Sequence, residues 1–594
     1  MGNKKTFTGG EFLIREIEAQ DIFIPEEFDE EQKMILQSCE DFLETEIFTI
    51  LDRIDDKEEG LMRELLTKAG ELGLLAISIP EEFDGYGQSF VTTMLVNEAM
   101  GAGYSFAVAF AAHTGIGTQP ILYYGNEEQK RKYIPKLATG ELLAAYCLTE
   151  PNAGSDANSA KTRAVLSDDG KYYILNGQKM WTTNGGFADI QTVFAKIEND
   201  RVLSAFIVER DFPGITLNPE EKKMGIKGSS TVQIFYNDVK VPVENLLGER
   251  GGGFRIALNI LHMGRIKLGG AILGAAKRAI SKSVNYANER KQFDTQIANF
   301  GAIKFKLAEQ VIKTFTTESA VYRSSQNIDD AIQMLINEGM EKDRATIEGI
   351  SKYAIETAIL KVFSSEALDY IVDETVQIFG GMGFSSETGV ERAYRDARIN
   401  RIFEGTNEIN RILVVDTTFK RAMKGEFDLF GQAQAVAKEL GKLPENKEDN
   451  EDYYEEKRRY IKNFKKAILT LINAVSEKFQ RKLVFEQEIS FNISDMIMQL
   501  YIAESTLLRV EKSEGMKGKE AINIYKDILD VFVYDSANLI NKAGIDAVNS
   551  FAEGKELQAL LKGMQYFTKV AGVNVKEARR RIADKLIDDN RYNF

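Results

Sequence analysis

Apolar residues recur at helical spacing through the first quarter of the chain. Between residues 29 and about 138 they fall three or four positions apart, as at Met62, Leu65 and Ala69, which is the pattern of helices with one buried face. The charge-free run 99–126 exceeds the roughly 20 residues of a bilayer span, but its glycines and its histidine favour buried helix and turn. This opening part is therefore predicted to be all-α.

The pattern changes near Ala144, where short β-type segments replace the helices. The first two of these segments are separated by Asn176-Gly177, the residue pair of a two-residue hairpin turn. A small β domain is therefore predicted to interrupt the helices. Its predicted strands include 172–175, 178–181, 192–195, 204–208 and 232–235.

Helical periodicity returns after the Gly251-Gly252-Gly253 triplet, in segments long enough for a helical bundle. A charged stretch follows and is predicted to be an exposed linker, and a second helical block fills the remainder. The predicted fold class is mainly α with an inserted β domain. The predicted divisions are 1–143, 144–250, 251–424, the linker 425–453, and 454–594.

Composition narrows the classes of function. Lysine and arginine number 75 against 90 aspartates and glutamates, a net charge of -15, which argues against a surface built mainly for nucleic acid or anionic lipid. Two cysteines provide no disulfide framework, which fits a reducing compartment, and two histidines argue against a multi-histidine metal centre. No signal peptide is seen, so we expect a cytoplasmic protein in a bacterium. In a eukaryote we expect a mitochondrial matrix protein, although no transit peptide is seen.

The glycine clusters need an explanation other than the common phosphate-binding motifs. The sequence contains no P-loop, no HExxH, no GxSxG and no strand-led GxGxxG. Gly269-Gly270 and Gly274 lie in an apolar helical segment and are predicted to allow close helix packing. Gly380-Gly381 ends a long helix, either as its C-cap or as backbone that a flat or phosphorylated cofactor approaches.

Four segments carry a resemblance to a known family. They are 145–156 (AYCLTEPNAGSD), 180–186 (MWTTNGG), 377–381 (QIFGG) and 401–409 (RIFEGTNEI). In order and spacing, over roughly residues 30–420, they closely resemble the flavin-dependent acyl-CoA dehydrogenases. The resemblance implies a helical N-terminal domain, a middle β-barrel and a C-terminal helical bundle, with FAD between the last two. The extension from about residue 430 resembles the additional helical domain of the very-long-chain type.

The resemblance implies α,β-dehydrogenation of a fatty acyl-CoA to the trans-2-enoyl-CoA in fatty acid β-oxidation. The reaction needs a base for the α-proton and an acceptor for the β-hydride, and since no side chain accepts hydride reversibly, a flavin is needed. Glu404 matches the family's base; the alternative is an ordinary glutamate at a helix end. Gly405 is expected to break the helix and Thr406 to cap the next one. Burial is expected to raise the pKa of Glu404.

Some family members take the base from an earlier helix, in the segment that matches residues 262–265. Gly264 stands at the corresponding place, so Glu404 has no visible rival. In the same segment the resemblance assigns His262 and Arg265 to the substrate, Arg265 toward its CoA end. A structural ion pair is the alternative for Arg265. Further expected substrate contacts are Ser155 and Gly405.

The residues expected at the floor of the substrate pocket indicate which length of acyl chain the protein prefers. Val108 and Ala112 match bulkier polar residues in medium-chain relatives. Small side chains leave a deeper tunnel, in which each buried methylene contributes about 0.8 kcal/mol. We therefore hypothesise a preference for long acyl chains.

The flavin contacts implied by the resemblance fall into two sets. The set at the ring comprises Tyr146, Leu148, Thr149, Gly154, Ser155, Trp181 and Thr183, followed by Thr406 and Glu408. The set supplied across a dimer interface to the pyrophosphate and adenosine comprises Arg290, Phe293, Gln377, Gly380 and Gly381. Trp181 has an alternative as a core residue of the β domain. Gly301 stands where many relatives carry a glutamine, which is a departure from the family pattern.

The resemblance also implies partners. A homodimer is expected, because the additional domain covers the surface by which four-subunit members pair their dimers. Electron-transfer flavoprotein is the expected acceptor, and no nucleic acid is expected. The basic segment 457–466 is a candidate for peripheral membrane contact, against the alternative of a solvated helix face. Two other functions remain open: an acyl-CoA oxidase that uses O₂, and a non-enzymatic assembly or binding protein on the same fold.

Overall fold

The computed structural model describes residues 7–442 and 452–594, which form a sheet between two sets of helices. The helices before the sheet are α1 (Glu30–Phe42), α2 (Leu51–Asp55), α3 (Leu61–Glu71), α4 (Phe90–Gly101), α5 (Ser105–Ala111), α6 (Gln119–Tyr124) and α7 (Glu127–Thr139). Those after it are α8 (Gly253–Glu289), α9 (Gly301–Asn337), α10 (Lys342–Lys352), α11 (Ala354–Phe379), α12 (Gly381–Phe384), α13 (Val390–Ala397) and α14 (Asn407–Met423). The C-terminal helices are α15 (Leu429–Glu439), α16 (Tyr453–Phe479), α17 (Gln487–Lys517), α18 (Asn523–Phe551), α19 (Gly554–Phe567) and α20 (Val575–Asp589).

The charge-free run 99–126 is buried helix and turn, as predicted. A turn at Tyr104, whose φ is 54°, leads into α5, a π-helical segment (Ala112–Gly117) and α6. Phe106 and Phe110 are buried in one apolar core with Phe42. Residues on the opposite side of this helical run line the cavity of the candidate active site.

The middle domain is a sheet with its own apolar core. Its strands are β1 (Ala144–Cys147), β2 (Arg163–Leu166), β3 (Tyr172–Thr183), β4 (Ile190–Ile197), β5 (Ser204–Glu209), β6 (Ile215–Leu217), β7 (Thr231–Pro242) and β8 (Leu246–Leu247). The strand order is β6-β7-β3-β2-β4-β5-β8, with β1 paired to β4. Among the described strands this path does not close, so the predicted barrel is an open one around a core that includes Leu175, Val193 and Phe206.

The hairpin predicted at Asn176-Gly177 is wrong. Both residues lie within β3, which runs antiparallel to β7 with a register shift between Leu175 and Gly177. Gly177 has a φ of 149°, and a Cβ there would lie 2.5 Å from the hydroxyl of Thr162. The glycine therefore serves a bulge and a close approach of two strands.

The bundle after the sheet is built on the long helices α8, α9 and α11. The prediction that glycines permit close packing is confirmed at Gly270 and Gly274 but not at Gly269, where the nearest atom to an added Cβ would be 3.5 Å away. A Cβ on Gly274 would lie 1.9 Å from the carbonyl oxygen of Glu98, and one on Gly270 would lie 2.7 Å from the side chain of Met94. These contacts bring α8 against α4, so both helices are positioned to form one wall.

The predicted linker 425–453 is wrong in its first part. Residues 429–439 form α15, and its Leu429, Ala433 and Val436 are buried in the main apolar core. The charged residues 443–451 lie outside the described residues.

Buried ion pairs connect the C-terminal helices to the bundle. The guanidinium of Arg509 lies 2.6 Å from Glu318 on α9 and 3.1 Å from Glu26 near the N-terminus. Arg323 on α9 lies 2.8 Å from Glu504 on α17. Because these charges are nearly fully buried, each pair fixes how the elements it joins are packed together, and breaking one leaves an uncompensated charge.

The basic segment predicted as a candidate for membrane contact has its cations paired within the chain. Arg458 lies 2.7 Å from Glu511, and Lys462 lies 2.8 Å from Glu16. The remaining lysine contacts are Lys457 to Asp530, Lys465 to Glu504 and Lys466 to Glu439. This pairing gives the membrane prediction no support.

Candidate active site

A break between two helical segments places Glu404. The chain leaves a 3₁₀ turn (Arg398–Arg401) and passes through Glu404 and Gly405, whose φ values are 59° and 83°. Thr406 then caps α14, since its hydroxyl accepts a hydrogen bond from the amide of Ile409 at 3.3 Å. A non-glycine residue at positive φ is strained, so contacts outside the loop must hold it.

Two side chains hold the loop by its carbonyl groups. The Nε of Arg265 donates to the carbonyl of Glu404 at 3.0 Å. The amide of Asn410 donates to the carbonyl of Gly405 at 2.8 Å and to that of Thr406 at 3.0 Å. The peptide groups are fixed while the Glu404 side chain stays free to point elsewhere.

The Glu404 carboxylate packs directly on Gly264 of α8. A Cβ on Gly264 would lie 2.7 Å from Oε2 of Glu404. This oxygen is buried and has no hydrogen-bond partner in the described structure. Burial raises the pKa of Glu404 to about 7, against the lowering effect of the cations Arg265 and Lys361. The carboxyl group is therefore poised to exchange a proton near neutral pH.

A long cavity begins at Glu404 and follows α8. It encloses about 170 Å³. Its wall on α8 extends from Gly264 to Lys282, which is about 27 Å along the helix axis. Side chains on this wall, including Leu268, Ala271 and Ile272, are mostly apolar. We call this feature the long cavity; its shape suits an extended hydrocarbon.

The structure places both predicted chain-length residues on the long cavity. Val108 on α5 and Ala112 at the start of the π-helical segment line it opposite α8. Their small side chains leave the passage open beyond Glu404. Thr183, predicted as a flavin contact, also lines the cavity.

Sequence reasoning missed Lys267, which faces the same cavity. It lies one helical turn after Gly264, is 5% exposed, and has no acidic partner among the described residues. Burial alone lowers the pKa of Lys267 to about 8. The available signal was a single lysine inside the apolar run of α8.

The ring-side set of predicted flavin residues gathers at the ends of β1 and β3. The amide of Met180 donates to the carbonyl of Thr149 at 2.8 Å, which joins the two strand ends. Trp181 has a φ of 59° and is 53% exposed, so it does not fill the β-domain core. The hydroxyl of Tyr146 on β1 is buried without a partner. A flat exposed face and an unpartnered hydroxyl fit a ring that brings its own acceptors.

A buried ion pair fixes the loop that carries Leu148, Gly154 and Ser155. The ammonium of Lys179 on β3 lies 2.7 Å from Glu150 and donates to the carbonyl of Leu148 at 3.1 Å. The carboxylate of Glu150 also accepts from backbone amides farther along the loop. Ser155 is exposed, and a Cβ on Gly154 would meet nothing within 4 Å. The loop is thus anchored at its start and open at its tip.

The second set of predicted flavin residues lies at the C-terminal ends of α8 and α11. Arg290 follows the last turn of α8, and Gln377 and Gly380 lie at the end of α11. A stack of Tyr286 on Phe379, with ring centroids 4.0 Å apart, joins these two helix ends. Arg290 is 26 residues beyond Gly264, about 39 Å along α8. This end of α8 is therefore remote from the carboxylate of Glu404, which packs on Gly264.

The remaining predicted residues lie around the Glu404 loop. Arg265 is buried, and its Nη1 lies 3.1 Å from Nδ1 of His262. Burial beside Arg265 lowers the pKa of His262 to about 3, so the ring is neutral. Among the described residues Arg265 forms no ion pair, which was the alternative to its predicted CoA contact; it holds the loop. Glu408 is exposed on the first turn of α14.

Family models cover most of the chain. Residues 29–141, 145–239 and 251–418 match models described as the N-terminal, middle and C-terminal domains of acyl-CoA dehydrogenase. Residues 463–566 match a further model, also described as an acyl-CoA dehydrogenase C-terminal domain.

Complete relatives and a solved structure agree with these models. A probable acyl-CoA dehydrogenase of Bacillus subtilis is 43% identical over 98% of both chains. The human very long-chain specific acyl-CoA dehydrogenase is 46% identical over 58% of this chain, and the match spans only 51% of that relative. A crystal structure of acyl-CoA dehydrogenase complexed with FAD from Bacillus anthracis, 44% identical, superposes with a TM-score of 0.96 over 99% of this chain and 100% of that one.

The site and fold therefore define an acyl-CoA dehydrogenase: the chain belongs to that family. Within the family it is of the form that carries an additional C-terminal helical domain. Both the family and the fold class predicted from the four motifs are confirmed.

Proposed function

We propose that this enzyme uses FAD to convert long-chain fatty acyl-CoA to trans-2-enoyl-CoA in fatty acid β-oxidation, and passes the electrons to an electron-transfer flavoprotein. One observation carries the proposal. The Glu404 carboxylate, with one oxygen unpartnered, stands at the start of the long cavity, which Thr183 also lines. Membership of the family supports the reaction class.

Glu404 removes the α-proton of the bound thioester. With its pKa raised to about 7, it is a stronger base than a solvated glutamate and is still substantially ionised at neutral pH. Arg265 and Asn410 bind the peptide groups of its loop, not its carboxylate, so the base is oriented without being neutralised. The apolar walls exclude water that would otherwise solvate the carboxylate.

The described residues fit FAD. Tyr146, Leu148, Thr149, Trp181 and Thr183 would hold its ring, on the evidence of the unpartnered hydroxyl of Tyr146 and the exposed indole of Trp181. When bound, FAD supplies the hydride acceptor that no side chain provides. The relative from Bacillus anthracis, which is described as complexed with FAD, supports this choice.

The long cavity supports a long-chain substrate. It runs about 27 Å along α8 and stays open past Val108 and Ala112. Each methylene transferred from water into it contributes about 0.8 kcal/mol, so affinity rises with chain length until the cavity is filled. The human relative described as very long-chain specific agrees with this inference.

The position of the second flavin set supports a homodimer. Arg290 lies about 39 Å along α8 from Gly264, so Arg290, Gln377 and Gly380 would serve the cofactor of a second copy. Two apolar side chains beside them, Phe293 and Phe384, are 90% and 88% exposed, and a second copy would cover them. Sedimentation of the flavin-loaded protein should give a dimer, and Arg290→Ala should weaken FAD retention.

The deciding experiment is an anaerobic titration of the flavin-loaded protein with palmitoyl-CoA. The flavin absorbance should bleach in the wild type. Glu404→Gln should retain FAD and lose the bleaching, because the amide cannot accept the α-proton. Bleaching of the flavin in Glu404→Gln would contradict the proposed role of this carboxylate.

The electron acceptor is tested separately. After bleaching, slow recovery in air and rapid recovery with electron-transfer flavoprotein support a dehydrogenase. Prompt recovery in air with release of hydrogen peroxide assigns the protein as an acyl-CoA oxidase. Absence of bleaching by any acyl-CoA in the FAD-loaded protein supports a non-enzymatic role.

A further inference from the structure

Two cations stand at the far end of the long cavity, whose lining also includes the carboxyl group of Asp396. Tyr104, Arg278 and Lys282 line it there, while the wall of α8 leading to them carries Ala271 and Ala275. A saturated acyl chain ends in a methyl group, which gains nothing from such neighbours. The placement of two cations where the chain terminus would arrive is therefore unexplained by the proposed function.

Each cation keeps donor groups that the protein does not use. The ammonium of Lys282 donates to the hydroxyl of Tyr104 at 3.2 Å and has no acidic partner among the described residues. The Nε of Arg278 is buried without a hydrogen-bond partner. Its acidic neighbour, Glu44, lies at a marginal 3.5 Å and is itself 67% exposed. The site therefore retains unused capacity to bind an anion.

Arg278 is held in position by an aromatic ring. Its guanidinium carbon lies 3.3 Å from the ring centroid of Phe48. Stacking fixes the plane of the guanidinium and leaves its N–H groups at the edge available for hydrogen bonding. A planar fork beside an ammonium and a tyrosine is the donor set that suits a carboxylate.

We propose that the long cavity binds fatty acyl chains that carry a carboxylate at the far end, namely the mono-CoA thioesters of long-chain dicarboxylic acids, with Arg278 and Lys282 as the residues that recognise the terminal carboxylate. This inference rests on the proposed function, since the thioester must react at Glu404. Recognition of the terminal carboxylate would be a second determinant of substrate specificity, about 27 Å along α8 from Gly264.

The geometry sets the chain length. A lysine on a helix leans back toward the N-terminus, so its ammonium lies about 5 Å short of its own Cα position along the axis. An extended chain advances about 1.2 Å per bond, which gives about 18 bonds between the reacting carbon and the carboxylate. The preferred diacids should therefore have about 18 to 22 carbons.

The experiment compares kcat/KM for mono-CoA thioesters of diacids with that for saturated acyl-CoA of the same length, from C6 to C22. The ratio should rise to a maximum near C18 to C22. Taking the ratio at each length cancels the general effect of hydrophobicity. A ratio that falls steadily with length, or that peaks at C6 to C8 where the buried Lys267 would be the partner, overturns the proposal.

Substitutions distinguish recognition of the terminal carboxylate by Arg278 and Lys282 from a general effect on folding. Lys282→Met and Arg278→Met should each lower the ratio at its maximum by about tenfold, with turnover of the saturated chain retained. Arg255→Met, an exposed cation on the same helix, is the matched control and should leave the ratio unchanged. An unchanged ratio in both site variants also overturns the proposal. Failure of the proposed function itself is distinguishable, because then saturated acyl-CoA would not be turned over either.

Discussion

Glu404 and Gly264 are in direct contact across two helices: a Cβ on Gly264 would lie 2.7 Å from Oε2 of Glu404. The glycine is therefore what leaves room for the carboxylate. The resemblance assigns the base of some family members to the position of Gly264; in this chain the carboxylate comes from the loop before α14.

Gly264→Ala should displace the carboxylate of Glu404. Since catalysis by a base depends on placement within a fraction of an ångström, we expect kcat for palmitoyl-CoA to fall by about 10- to 100-fold. The rate of flavin bleaching in a single turnover measures it. Gly269→Ala, where the nearest atom to the new Cβ is 3.5 Å away, is the control and should stay near wild type. Equal losses in both variants would attribute the effect to helix packing.

The pH dependence of kcat/KM should report Glu404. Burial raises its pKa to about 7, and the ionised form is the base, so the rate should rise with pH through about 7 and then level off. Lys361→Met removes a cation that lowers this pKa and should move the midpoint to higher pH. A midpoint that stays in place would mean that another group controls the rise.

Glu404→Gln should also stabilise the fold above neutral pH. The unfolded glutamate has a pKa near 4.3 and the folded one near 7, so between these values folding takes up a proton and stability falls as pH rises. Above pH 7 the buried ionised carboxylate destabilises the fold fully, and the neutral Gln removes this cost. Urea unfolding at pH 8 should show a gain of about 2 kcal/mol, which should vanish below pH 4.

Lys267→Met should increase the free energy of unfolding, and this gain should become smaller as the pH rises, whereas the gain for Glu404→Gln becomes larger. Burial lowers the pKa of Lys267 to about 8, and its ordinary value is near 10.4. Below pH 8 both states are protonated and the buried charge destabilises the fold fully; between pH 8 and 10.4 the penalty fades as pH rises. We expect a gain of about 2 kcal/mol at pH 7 and none near pH 10.5. Arg255→Met, exposed on the same helix, should give no such trend.

Bulk at the cavity wall should shorten the preferred substrate. Ala112→Phe fills the passage beyond Glu404, so turnover of palmitoyl-CoA should fall by more than about tenfold, the loss of several buried methylenes. Butyryl-CoA turnover in the same variant is the internal control and should be retained. If both substrates decline together, Ala112 does not control chain length.

Much of the site was predictable because its signals are local. The break at Gly405 and the cap at Thr406 follow from residue chemistry next to Glu404 itself. The lining role of Val108 and Ala112 followed from resemblance, and the structure places both on the long cavity. The individual cofactor contacts of Arg290 and Gln377 stay predictions.

What sequence reasoning missed depends on contacts across the fold. Asn176-Gly177 has the composition of a turn, but its pairing with β7 and the approach of Thr162 make it a bulge inside β3. Residues 429–439 read as part of a charged linker, yet packing buries Leu429. Lys267 was hidden because a lone lysine on an apolar helix does not reveal which side of the helix it faces.

The chain's single tryptophan lies at the predicted cofactor position, half exposed at the end of β3. All of the indole fluorescence of this protein thus originates at one point of the molecule. Occupancy of the adjoining cleft by a yellow chromophore would quench that emission by energy transfer, so the protein carries a built-in, label-free optical gauge of its own cofactor content.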